Sequence, residues 1–152
     1  MPGPNRLHLR IITPEEEKLD ERCDMVIMRC ITGDFGILPG HEACMAILDY
    51  GVLRILYDVG ERRVAIFGGI AQVRDNTVTI LANDAQWPED IDRFLAEADL
   101  AEAQKRLHES EDDAEISKQQ VTLRRALVQI EVSAYPILSH VKHEEGADGA
   151  AE

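Results

Sequence analysis

The sequence predicts an α+β protein in which an N-terminal antiparallel β-sandwich is followed by a C-terminal α-helical hairpin. Two observations carry this reading. Over residues 6–84, short apolar stretches alternate with Gly, Pro, Asn and Asp turn signals, the pattern of many short strands joined by tight turns. At Trp87-Pro88 the composition changes: residues 89–108 hold one β-branched residue, Ile91, and alanine stands at 96, 98, 101 and 103, which is helix material. The expected units are a sandwich over 6–84, a two-helix hairpin over 88–138, and a Gly/Ala/acidic tail over 139–152 expected to be disordered.

Leu7, Leu9 and Ile11 alternate with His8 and Arg10, the period-two pattern of a half-buried strand that Thr13-Pro14 ends. Glu15 to Lys18 read as a solvated turn, and Cys23 to Thr32 as a second, inner strand. Ala43 to Leu48 predict a short strand, and Tyr50-Gly51 a change of direction. Val52 to Tyr57 and Arg63 to Phe67 flank the hairpin signal Asp58-Val59-Gly60, and Ile70 to Arg74 and Thr77 to Leu81 flank Asp75-Asn76. Gly68-Gly69 within a strand predicts a bulge or a close backbone approach. Pro88, Glu89 and Asp90 suit the start of a helix, whose apolar face would be Ile91, Phe94, Leu95 and Ala98. Glu109 to Asp113 form the turn, and a second helix from Ala114 to Tyr135 carries Ile116, Leu123, Leu127, Ile130 and Ala134 on one stripe. Alanines on the first helix let the two axes approach closely. Two helices have too little surface for a core of their own, so the hairpin must dock on the sandwich, on a partner, or on each in turn.

Sixteen Lys and Arg stand against 29 Asp and Glu, a net charge of -13 that excludes nucleic acid as a partner and is repelled by anionic lipid. No apolar run approaches the ~20 residues that span a bilayer, so direct membrane insertion is not expected. Residues 1–5 read as a leader without a signal-peptide core. Cys23, Cys30 and Cys44 are odd in number and lack CxxC spacing, which suits a reducing cytoplasm.

One stretch organises the chain: Gly33-Asp34-Phe35-Gly36-Ile37-Leu38-Pro39-Gly40-His41. Three glycines and a proline in nine residues forbid a helix. The apolar residues between them predict a rigid, packed turn with part of its edge, Phe35 and Ile37 included, presented outward. The stretch resembles the Gly-Glu-Phe-Gly-Ile-Leu-Pro-Gly-His signature of the epsilon subunits of F-type ATP synthases, with Asp34 keeping the charge of Glu. Phe67-Gly68-Gly69-Ile70-Ala71-Gln72-Val73 is similar to that family's Gly-Gly strand, and Val78 to Ala82 followed by Asp84-Ala85 to its last strand and exit. The resemblance spans about Leu7 to Val132. It implies a non-catalytic rotor subunit of the central stalk, peripheral at the cytoplasmic face of the bacterial inner membrane. The partners it implies are the gamma subunit, the membrane rotor (c) ring and the catalytic β subunit. It implies that Asp34, Phe35, Gly36, Ile37, Leu38, Pro39, Gly40 and His41 meet the ring, and that the hairpin restrains ATP hydrolysis.

The residues themselves offer no active site. Asp34-Phe35-Gly36 spells a kinase magnesium triplet without its catalytic loop, and no Walker loop occurs. His41 and Cys44 have ligand spacing but no second pair, and His140, His143 and Glu144 would catch a metal only incidentally, so neither a metal nor a cofactor is expected. Lys118, Arg124 and Arg125 place positive charge on the exposed side of the second helix. Ordinary surface pairing accounts for them; the resemblance implies instead that they meet an acidic segment of the catalytic β subunit. Ile91-Asp92-Arg93-Phe94-Leu95-Ala96 is similar to the Ile-Asp-x-x-Arg-Ala motif that binds ATP in some bacterial members, which makes Ile91, Asp92 and Arg125 the nucleotide candidates. Leu95 and Gln129 stand where that pattern has arginines, and losing two guanidinium donors leaves at most weak ATP binding. A stand-alone ATP-sensing module is the alternative function, and a small hydrolase or transferase a more distant one.

Overall fold

The computed structural model describes residues 6–134; the expected tail, Tyr135, Pro136, His140, His143 and Glu144 lie outside them. The strands are β1 (Leu7–Ile12), β2 (Glu17–Cys23), β3 (Met25–Cys30), β4 (Gly33–Ile37), β5 (Cys44–Tyr57), β6 (Gly60–Arg74), β7 (Thr77–Ala82) and β8 (Ala85–Gln86). Two helices follow, α1 (Arg93–Glu109) and α2 (Asp113–Ser133). The ladder runs β2-β1-β7-β6-β5-β3-β4, with β8 also on β6. Its pairs are antiparallel except β1 with β7, which are parallel, a pairing the strand spacing did not reveal.

One ladder becomes two layers because its long strands bend. In β6, Val64 and Ile66 face the core before the bend and Ala71 and Val73 after it, so the inward parity changes at Gly68-Gly69. Both glycines have positive φ, 78° and 137°. A Cβ on Gly69 would collide with the Leu81 carbonyl oxygen and lie 2.8 Å from the Cα of Ala82. Opposite them β5 continues without a break, so Tyr50-Gly51 is a bend inside a strand of 14 residues and not a turn. Gly51 leaves room for the side chain of Arg29, which crosses it. Between the layers, Leu7, Leu9, Ile11, Val26, Ile37, Leu53, Ile55, Val64, Val78 and Ile80 are fully or almost fully buried.

Three boundaries differ from expectation. The tight turn after β1 comes at Thr13 to Glu16, where the Thr13 hydroxyl donates to the Glu16 carbonyl, so Glu17 and Lys18 already belong to β2. The first five residues of the Gly/Pro stretch form β4, paired with β3, because glycine on an edge strand needs no helix and no turn. The sandwich also runs past residue 84: β8 pairs with β6, and Trp87 is buried in the main core with Arg62 stacked 4.0 Å over its ring.

Pro88–Asp90 form a 3-10 turn rather than the start of α1, whose N-cap is Asp92 accepting from the Leu95 N–H at 3.1 Å. The expected face of α1 is not the packed one. Phe94 is 86% exposed and Leu95 is also exposed, while Ala96 and Ala103 are buried and Leu100 and Leu107 half-buried at heptad-like spacing. Spacing decides this, because residues 96, 100, 103 and 107 share one side of α1, and Phe94 and Leu95 lie off it. On α2 the buried residues are Gln119, Ala126, Val128 and Val132, and Leu127 is exposed. The stripe expected from Leu123 and Leu127 is therefore rotated toward Ala126 and Val128.

At the β5/β6 hairpin, Glu61 accepts from Arg54 Nε and Nη2 at 2.9 and 2.8 Å, and also from Arg63. The Arg54 fork holds the Glu61 carboxyl below the usual glutamate range. A depressed carboxyl stabilises the fold above its unfolded value of ~4.3, and that contribution is lost as pH falls through the folded value. Glu61→Gln is expected to lower unfolding free energy by about 1 kcal/mol at neutral pH. The gap to wild type should close below about pH 4, which denaturant titration across pH measures.

Candidate docking surfaces

The Gly33 to His41 stretch is anchored from three sides. Ile37 is fully buried in the core and Phe35 packs against it, so neither is the outward residue the sequence suggested. Alternation along β4 turns these two inward. The His41 ring meets Phe35 edge-on at 5.4 Å, and the His41 N–H closes a turn on the Leu38 carbonyl at 3.1 Å. The Gly40 N–H donates to Asn76 Oδ1 at 2.7 Å, which ties this corner to the β6/β7 turn, where Asp75 and Asn76 have φ of 50° and 59°. What the corner presents is Leu38, 55% exposed, with Pro39 and Gly40, and Asp34 paired with Arg29 at 3.2 Å.

A second surface was not foreseen. Ile31 donates its N–H to Ile47, Ile47 pairs with Ile70, Ile70 with Leu81, and Leu81 with Ile12. Ile31, Ile47, Ile70 and Leu81 are between 42% and 60% exposed, and Met45 stands beside them at 70%. An apolar row across the outer face of a sheet is what a partner covers. Its sequence signal was present in β5, where Cys44 to Leu48 are apolar on both parities, as in a strand covered on both faces.

The third surface joins α2 to the sandwich. Val128 and Val132 form a small apolar cluster with Val52, Ala65 and Phe67, edged by Tyr50 and Ile91, separate from the main core. Around it lie polar contacts. Arg124 bonds Asp49 and lies 5.0 Å over the Tyr50 ring. Arg125 donates to Asp84 Oδ2 at 2.6 Å and lies 4.0 Å over the Phe67 ring. Gln129 Nε2 donates to Gln86 Oε1 at 2.8 Å. Arg124 and Arg125 thus serve the docked hairpin instead of pointing only to solvent, whereas Lys118 is exposed. Burying two valines contributes a few kcal/mol at most, and half-exposed ion pairs about 1 kcal/mol or less each. Asp49, Tyr50, Phe67 and Asp84 escaped sequence reasoning; carboxylates beside aromatics in apolar strands were the available sign.

The nucleotide candidates are engaged within the chain: Ile91 at the apolar cluster, Asp92 as the α1 cap, Arg125 on Asp84. His41 Nδ1 lies 2.8 Å from the Glu42 carbonyl and 3.9 Å from Cys44 Sγ. A ring nitrogen donating to that carbonyl has no lone pair for the thiol, so the two are not a nucleophile and base. Cys23 is inert for another reason, as burial pushes its thiol up to about 12. Among the described residues no three His, Cys, Asp or Glu side chains group as metal ligands, and no helix is long and apolar enough to cross a membrane.

A packed sandwich with an anchored corner, an open apolar row and a hairpin held by a small interface defines a docking module of two units. The chain belongs to the delta/epsilon family of ATP synthase chains, as an epsilon-type member. The family's models, described as the beta-sandwich domain and the long alpha-helix domain of the ATP synthase delta/epsilon chain, match residues 6–88 and 89–134. The chain is 37% identical over 123 residues to the ATP synthase epsilon chain of Prochlorococcus marinus (strain NATL1A), covering 79% of this chain and 91% of that one. To the epsilon chain of Syntrophobacter fumaroxidans it is 38% identical over 130 residues, covering 84% and 96%. Among solved structures it is similar to a chain in the Euglena gracilis mitochondrial ATP synthase, OSCP/F1/c-ring, with a TM-score of 0.77 at 27% identity over 87% of this chain and 83% of that one. A chain of the Tetrahymena thermophila central stalk and c-ring shares the fold, with a TM-score of 0.54 at 18% identity over 84% and 96%.

The corner separates structural from presented residues. Phe35→Ala is expected to lower stability by roughly 1–3 kcal/mol, and Leu38→Ala by less than about 0.5 kcal/mol. Chemical denaturation of the two variants checks the ranking.

Proposed function

We propose that this chain is a non-catalytic subunit of the rotating central stalk, bound peripherally at the cytoplasmic face of the bacterial inner membrane. In this reading the sandwich grips the gamma subunit through the row Ile31, Ile47, Ile70 and Leu81, and its corner from Asp34 to His41 rests on the membrane rotor ring. The observation that carries it is the apolar row itself: Ile47, Ile70 and Leu81 stand exposed in register across β5, β6 and β7, with exposed Ile31 hydrogen-bonded to Ile47 beside them. The corner suits a bearing on polar ring loops, because backbone and side-chain anchors fix it while Leu38 and Asp34 stand outward. The hairpin restrains ATP hydrolysis when α2 leaves the sandwich and offers Lys118, Arg124 and Arg125 to an acidic segment of the catalytic β subunit. No nucleotide is needed to dock the hairpin, since the side chain that would bind one already has Asp84.

Reconstitution tests the reading. Ile47→Asp with Ile70→Asp places two charges on the row without touching the core, so the isolated chain should keep its fold. Co-purification with gamma should fall at least tenfold, because each carboxylate would have to be desolvated in the joint. Undiminished capture of gamma by this variant would remove the row from the interface.

A further inference from the structure

We propose that Asp49 and Asp84 are the fixed half of an electrostatic latch whose moving half is Arg124 and Arg125, and that this latch sets how often the hairpin leaves the sandwich. Each guanidinium is held by two unlike groups on the sandwich. Arg124 has the Asp49 carboxylate and the Tyr50 face, and Arg125 has the Asp84 carboxylate and the Phe67 face. The two carboxylates are also held by contacts that do not involve the hairpin. Asp49 Oδ1 accepts the Tyr50 N–H and Asp84 Oδ1 accepts the Ala85 N–H, both at 2.8 Å, so neither must be ordered on docking.

The contact is built to release. The apolar cluster beneath it contains only Val128 and Val132 from α2. The side chains of the Arg124–Asp49 pair are 50% and 35% exposed, and those of the Arg125–Asp84 pair 36% and 38%. Pairs this open are weakened by salt. They also hold the guanidiniums at the sandwich: an arginine stacked on Tyr50 or Phe67 and bonded to Asp49 or Asp84 cannot at the same time be carried by an extended hairpin to an acidic segment of another subunit. This part rests on the inhibitory reading above, and makes docking and inhibition mutually exclusive uses of the same two residues. It gives the carboxylates and arginines opposite signs: removing the latch carboxylates frees the arginines to inhibit, while removing the arginines abolishes both contacts.

The test uses the full chain and backbone hydrogen exchange of α2 read by mass spectrometry. Exchange there reports undocking, since a released two-helix hairpin protects its amides poorly. Asp49→Asn with Asp84→Asn keeps both Oδ1 acceptors for the local backbone, yet faces Arg125 with an amide donor in place of Oδ2. At low salt α2 should exchange roughly three- to tenfold faster than in wild type, with the sandwich strands unchanged. Wild type should approach the variant as salt rises toward 1 M, where the Debye length is about 3 Å. Arg124→Ala with Arg125→Ala is the second variant, expected to accelerate α2 exchange similarly. Wild-type exchange rates in both variants at low salt would overturn the latch. ATPase of the reconstituted complex then separates the two ideas. The asparagine variant should hydrolyse ATP more slowly than wild type and the alanine variant faster. Faster exchange with unchanged hydrolysis in both leaves the latch standing and removes the inhibitory reading. Unchanged exchange with relieved inhibition in the alanine variant does the reverse.

Discussion

The bend at Gly68-Gly69 is the constraint on which the rest depends. Without a side chain at Gly69, the backbone of β6 can pass against Leu81 and Ala82 of β7 and change which side chains face inward. That change folds one ladder into a sandwich. It also decides the outer surfaces: on one side of the bend Ala65 and Phe67 turn outward to receive α2, and on the other Ile70 turns outward into the apolar row. β5 follows the same course opposite, with Ile47 in the row and Tyr50 and Val52 at the hairpin. A side chain at Gly69 would push β6 off Leu81 and Ala82 of β7 and so disturb the core and both surfaces together.

The hairpin is a different kind of object from the sandwich. The sandwich buries aliphatic side chains between two layers and ties its corner down with a hydrogen bond from the Gly40 N–H to Asn76, and its main core draws on no residue of the hairpin. The hairpin is capped at its starts by Asp92 and Asp112 and held together by alanine-lined packing, but its joint with the sandwich is small and partly polar. An interface of a few apolar residues with a polar rim resembles a transient contact between domains more than a core. Local stability is therefore uneven along the chain, and the low end falls on the element whose movement the proposed regulation requires.

Much of this was legible in the residues. Period-two alternation located β1, apolarity located β3, and the Asp75-Asn76 signal located β7 and the turn that the positive φ values require. The change at Trp87-Pro88 found the end of the sheet to within a few residues. What failed did so where distant chain segments decide the outcome. Tyr50-Gly51 reads as a turn because local sequence cannot show that β6 pairs with β5 along its whole length. Phe94 and Leu95 read as a packed face because hydrophobicity marks candidates, whereas the buried side of α1 follows the row Ala96, Leu100, Ala103 and Leu107. Phe35 and Ile37 read as presented because the Gly/Pro setting suggested a loop, and strand pairing with β3 turned them inward.

The same continuity that hid these features links the surfaces physically. Ile47 of the apolar row and Asp49 of the hairpin joint are two residues apart on β5, and Phe67 and Ile70 are separated only by the two glycines of the bend. A partner seated on the row therefore touches the strands that hold α2 within one or two peptide units of the joint. Spatial nearness alone does not establish coupling, which requires an element with two arrangements that both sites bias. The bend itself is not that element: a Gly69 without room for a Cβ is rigidly placed. The hairpin is, because its joint is small while the main core of the sandwich lies wholly within residues 7–87. Coupling between the row and the hairpin would then pass through the contacts of Asp49 and Tyr50 with Arg124, made or broken as the hairpin docks, and not through any change in the fold of the sandwich.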